Sequence, residues 1–136
     1  MATTHDLPAW IALFTGLYSL AAAIGEWRQP GFWAAMLGDF ERTPALRFLT
    51  GFIILFIGGA IYLASPWQAS SDWLSIAMGV MGGLMALEGA LILAMGDRFL
   101  GFARRLIGKA SRGWAGLSAL LGAALIFVAI SRLQAL

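Results

Sequence analysis

The chain has no cysteine and a single histidine. The first absence excludes a disulfide framework and any thiolate metal site. The histidine, His5, lies in the N-terminal tail outside the apolar segments, so no nucleophile–base pair can be drawn within them. Charge is scarce as well: 12% of the 136 residues are charged and 60% are apolar. Soluble domains run roughly 45–50% apolar and 25% charged. Water offers no partner for that excess, so lipid is the expected solvent. HExxH, phosphate-cradling glycine loops and metal-spaced clusters are missing too. The expectation is a protein that is not an enzyme and uses no cofactor or metal. The stretch before Trp10 lacks Lys and Arg, which argues against a cleaved signal peptide.

What is present is four long apolar runs. A spanning helix needs about 20 mostly apolar residues. The runs at about 8–24, 46–64, 73–95 and 114–133 qualify. Pro8 suits a first helical turn, where its missing N–H costs nothing. Ser65-Pro66 stops the second run, and Ser71-Asp72 offers capping oxygens to the third. Trp10, Trp67, Trp73 and Trp114 sit near run ends, at the headgroup level that indole rings prefer. The fold class expected is an all-α membrane protein, a four-transmembrane-helix bundle in one domain.

Basic residues set the orientation. Arg28, Arg42 and Arg47 flank the first long connection; Arg98, Arg104, Arg105, Lys109 and Arg112 flank the second. Only Arg132 lies on the other side. The positive-inside rule then puts both connections in the cytoplasm and both termini outside. The net charge of +2 is therefore read as topology, and no nucleic-acid partner is expected.

Both connections are patterned. Phe32, Trp33, Met36, Leu37 and Phe40 share one helical face. In 98–112, Phe99, Leu100, Phe102, Ala103, Leu106 and Ile107 form a second apolar face, opposite Arg98, Arg105, Lys109 and Arg112. This is the pattern of a helix lying in a membrane interface. Trp33, Arg98, Arg104, Arg105 and Lys109 are the candidate lipid-surface contacts; a short connector packed on the bundle is the plainer alternative. Each half thus reads as span, amphipathic helix, span, with units at about 8–65 and 72–133. An offset of 65 aligns Ala45, Arg47, Gly51, Leu55, Ile61 and Ala64 with Ala110, Arg112, Gly116, Leu120, Ile126 and Ala129. Two such units would form a parallel pseudo-repeat about an axis along the membrane normal.

Glu88 is the one acid well inside a span, seven residues before Met95 or about 10 Å along the helix. Burying a charge at a span centre costs about 2.5–3.5 kcal/mol on insertion scales. It should face the bundle interior, be protonated, or find a partner. Arg47 or Arg112 could reach it, or reach Glu26 at the end of the first span, forming one intramembrane polar site. A proton or cation site is the functional alternative. Gly79, Gly82, Gly83 and Gly89 in the third run, with Gly58-Gly59 and Gly116, are candidates for close helix packing.

The run PGFWAAM at 30–36, then Pro44, Arg47 and Gly51, resembles the YjeT-like family of short two-span bacterial inner-membrane proteins of unknown function. Leu87-Glu88-Gly89 extends the likeness to the second half. The resemblance implies two fused units in a bacterial inner membrane. It lends no activity, substrate or catalytic residue.

Three functions fit. One is an accessory or scaffold subunit of a larger membrane complex, or a self-associating membrane organiser. A second is a small transporter or channel using Glu88. A third is an anionic-lipid-binding protein. Membrane lipids are expected partners in all three.

Overall fold

In the computed structural model, residues 6–65, 72–108 and 110–134 are described, and they form five helices: α1 (Leu7–Arg28), α2 (Phe32–Arg42), α3 (Pro44–Ala64), α4 (Trp73–Gly108) and α5 (Ser111–Gln134). No strand occurs among the described residues. Four of the helices are long and apolar enough to cross a membrane. The protein is therefore a multi-pass membrane protein, an all-α bundle of four spans.

Local chemistry sets the helix ends. Asp6 caps α1, its carboxylate accepting from the Ala9 N–H at 3.3 Å, with proline in the first turn. The chain reverses after Arg28 through Gly31, whose φ of +90° is a conformation glycine tolerates and other residues resist. Thr43 is extended, as a residue before proline prefers, and Pro44 opens α3. Helix α4 has 36 residues, about 54 Å at 1.5 Å per residue, against a hydrocarbon core of about 30 Å. It breaks at Met95 (φ −146°, ψ 48°), leaving a span before the break and an amphipathic arm over 96–108. Sequence reading expected separate helices here; the structure joins span and arm through a kink. Arg112 falls in the first turn of α5, not in the arm.

The spans pair first with last and second with third. Helix α1 packs along α5, and α3 packs along α4; contact between the pairs is sparse. Both pairs are antiparallel, since Asp6 meets Arg132 and Ser19 meets Ser118, while Arg47 meets Gly96 and Tyr62 meets Gly82. Each span therefore takes its main partner from the other half of the sequence.

Small residues explain the pairing. Ala9, Gly16 and Ala23 are buried in α1, Gly51, Gly58 and Ser65 in or just after α3, Ser75, Gly82 and Gly89 in α4, and Ala115, Gly122 and Ala129 in α5. In every helix the spacing is seven residues. A seven-residue repeat keeps one seam facing its partner along a left-handed crossing. At these positions the backbones touch. A Cβ on Gly58 would lie 2.5 Å from the Ala86 nitrogen and 2.7 Å from the Gly82 carbonyl oxygen. A Cβ on Gly122 would lie 2.7 Å from the Gly16 carbonyl oxygen and 2.8 Å from the Leu20 nitrogen. Gly89 meets the Leu55 backbone in the same way, and Gly79 is buried. Gly83 sits to one side, against the Tyr62 ring. Gly116 has nothing within 4 Å and is no packing position.

With glycine and alanine inside, the large side chains point out: Leu63 is 80% exposed and Phe127 72%. That inversion of a soluble fold is stable only where the surroundings are apolar. At the end that carries both termini, Leu74 and Met78 of α4 pack on Ala9, Ala12 and Ala129, and the two pairs meet. At the other end, α2 and the α4 arm lie against each other.

The neighbouring glycines of α3 give a direct test. Gly58→Ala should destabilise the protein by about 1–3 kcal/mol, as overpacking does. Gly59→Ala, where nothing lies within 4 Å, should leave it unchanged or slightly more stable. Thermal unfolding of the two variants in mild detergent reads the difference; equal midpoints would refute the close-contact account.

Candidate functional site

Because the pairs meet at the terminus end, the space between them opens toward the arms. It forms a cavity of about 350 Å³. Tyr18 and Ala22 of α1 and Ser118 of α5 line one side. Thr50 and Ile54 of α3 with Glu88 and Ile92 of α4 line the other. The roof is the two arms: Trp33, Met36, Leu37 and Phe40 of α2, and Phe99, Leu100, Ala103 and Ile107 of α4. The apolar faces expected to enter the lipid thus cover a cavity instead. Phe102 and Leu106 alone of the second face point outward, 58% and 49% exposed.

Glu26 holds the roof in place. Its side chain is fully buried. One carboxylate oxygen accepts from the Gly31 N–H and the other from the Trp33 N–H, each at 2.9 Å. These are donors that the start of α2 would otherwise leave unpaired. The Trp33 indole N–H donates to the Ala22 carbonyl at 3.1 Å, which turns the ring toward the cavity. The sequence placed Glu26 in a polar site with Arg47, Arg112 and Glu88, and Trp33 against lipid. Neither holds, because the turn after α1 brings five backbone and side-chain groups of one short segment together. The glycine five residues beyond Glu26 was the signal available.

The four residues proposed as one polar site are not brought together. Arg47 donates to the Glu41 carbonyl at 2.5 Å, and its stem lies over Gly96. Arg112 is exposed, and Glu26 is engaged as described. Glu88 is left by itself: it borders the cavity, it is exposed, and no hydrogen bond or ion pair to it occurs among the described residues. On the outer surface of the arms, Arg104 forms an ion pair with Glu41, which ties the α4 arm to α2. Arg98 and Arg105 are exposed. Lys109 lies outside the described residues, as does Trp67. Among the described residues no group of acids and histidine is placed to hold a metal ion.

Arg132, the one basic residue on the wrong side of the charge count, has an explanation at the terminus end. Its Nη1 and Nη2 donate to the two Asp72 oxygens at 2.8 Å in a fork, while Nε and the shared Nη2 reach the Asp6 carboxylate at 3.3 Å. Asp6 caps α1, and Asp72 accepts from the Leu74 N–H at the start of α4. One guanidinium therefore joins three helix ends, and its charge is offset on the spot. The two acids that neutralise it are 66 positions apart, which is why counting charges by segment missed the cluster.

Compared with family models, with curated proteins and with solved structures, the chain matches none of them. Its function must be argued from the cavity.

The Arg132 fork holds the Asp72 carboxyl below the usual aspartate range, against the opposing effect of burial. A carboxyl lowered on folding adds stability that is present above its unfolded value and lost as pH falls through its folded value. Thermal stability in detergent should therefore decline as the pH is taken from about 5 to below 4. Arg132→Gln should lower stability at neutral pH and flatten that decline. An acid limb identical in both proteins would rule out the coupling.

Proposed function

We propose that the protein is a non-enzymatic membrane binding protein or small transporter that accepts an amphipathic solute in the cavity beneath the arms. The observation that carries this reading is Glu88. An acid in a span with no partner among the described residues is a functional feature by default, because a purely structural acid is hydrogen-bonded or ion-paired. Here it borders a space within the range of small-molecule sites, which are mostly apolar with a few polar groups. The structural alternative for Glu88, a partner across helices from Arg47 or Arg112, does not occur among the described residues. The shape supports movement as well as binding. The pairs touch at the terminus end and separate toward the arms, so a small rocking of one pair on the other would change which end is open. Matched contacts support reading the halves as a repeat about an axis along the membrane normal: Gly16 on Gly122 corresponds to Gly82 on Gly58, at offsets of 66 and 64 and so one position away from the 65-residue alignment.

Uptake into proteoliposomes tests the function. A panel of labelled amphiphiles with neutral, anionic and cationic heads should include one that enters saturably. Thr50→Trp, which fills the cavity from α3, should reduce that uptake at least tenfold. Saturable uptake by none of them would reject the transporter reading.

A second reading concerns orientation. The exposed Arg98, Arg105 and Arg112 all lie at the arm end, and this supports placing that end on the anionic cytoplasmic leaflet, with the termini outside. Changing the three to Gln should weaken the preference for anionic lipid in native mass spectra; an unaltered lipid profile counts against it.

A further inference from the structure

The cavity contains one charge and a wall of rings, and this combination selects a ligand. We propose that it takes a lipophilic monocation, a quaternary or protonated amine carrying an apolar body, with Glu88 as the counter-charge. The proposal rests on the cavity being a ligand site and goes on to name what the site selects.

Three observations carry it. First, Glu88 is the only charged residue among those lining the cavity. Its charge must be compensated, because an uncompensated carboxylate away from water is costly. Second, no cation among the described residues pairs with Glu88. Arg47 and Arg104, which approach the cavity roof from α3 and α4, are both committed to Glu41, one to its carbonyl and one to its carboxylate. The cluster around Arg132 lies at the opposite end. Compensation therefore comes from a proton or from the ligand. Third, the remaining walls suit a cation with an apolar body. Tyr18, Trp33, Phe40 and Phe99 all border the space, and an aromatic face attracts a quaternary ammonium group. The indole of Trp33 is fixed by its bond to Ala22, so its ring is ordered before the ligand arrives. Of the lining hydroxyls, Tyr18, Thr50 and Ser118, that of Ser118 is already donating to the Ser19 carbonyl at 2.8 Å. Few polar groups are left to recognise a sugar, a phosphate or an amide.

Charge also discriminates between ligand classes. An anionic amphiphile, including a phospholipid with a phosphate head, would be repelled by Glu88 and would find no cation on the lining. A dication would bring a second charge with nothing to offset it. A neutral body would fill the space and leave the carboxyl as it was. At about 350 Å³ the cavity lies near the lower end of ligand sites, which suits a single ring with a compact charged head.

The test uses the full chain in nanodiscs of zwitterionic lipid, with empty nanodiscs subtracted. Benzyltrimethylammonium and neopentylbenzene have the same shape and differ by one charge at one atom. Calorimetric titration should show the cation binding at least tenfold more tightly than its uncharged isostere. Glu88→Gln should remove that advantage and leave the binding of neopentylbenzene unchanged, which also shows that the variant is folded. Glu88→Asp should keep most of the advantage. Equal affinity of the two probes for the natural chain, with no effect of Glu88→Gln, would overturn the cationic class and leave the cavity standing as a site for neutral ligands. Failure of both probes to bind would overturn the cavity reading along with it.

Discussion

The structure depends on helix backbones touching at every seventh residue. In lipid, burying an apolar side chain gains little, since the solvent is equally apolar. What remains is close packing, and the closest packing needs glycine or alanine at the seam. The contacts of Gly58 with Gly82 and of Gly16 with Gly122 leave no room for a Cβ. They zip α3 to α4 and α1 to α5 along their lengths. The same geometry leaves little to join one pair to the other. The pairs meet through Leu74, Met78 and three alanines at one end, and there the Arg132 cluster reinforces them. Elsewhere they separate, and the cavity is the consequence.

Charge is distributed with the same economy. Glu26 is buried because it serves two backbone N–H groups that nothing else reaches. Glu41 holds the two arms together through Arg104 and lies over Gly101, where a Cβ would come within 3.2 Å of it. Arg132 is balanced by two aspartates. Against that background Glu88 stands apart, an acid in a span with no partner among the described residues. Its surroundings are apolar and aromatic. Among the described residues, Glu26, Glu41 and Arg132 have partners from the chain and Glu88 has none.

Much of this was legible beforehand. The four spans followed from run length and composition, and Pro8 and Asp72 marked helix starts where the structure has them. The arms were visible as amphipathic faces. Their direction was not, since periodicity shows that a face is apolar without saying whether lipid or protein covers it. Gly82 and Gly89 were recognised as packing residues, but one by one; the seven-residue spacing shared by all four spans passed unnoticed because serines and alanines complete it. Gly116 was misjudged for the same reason, as it falls one position off the seam formed by Ala115, Gly122 and Ala129. Arg47, Arg112, Glu26 and Glu88 were grouped because each seemed to need a partner. Backbone carbonyls and N–H groups met the need for two of them, and side-chain spacing carries no record of that.

The sequence by itself determined the solvent, the number of spans and the end at which the basic residues gather. These follow from composition and from the length of an apolar run, which are local properties of the chain. Only the tertiary structure decided which spans pair, because the choice of partner depends on seams that match between segments far apart in sequence. That choice placed the first span beside the last and the second beside the third. It turned the arms inward over the gap between them, and it gave Glu88 a cavity in place of a partner.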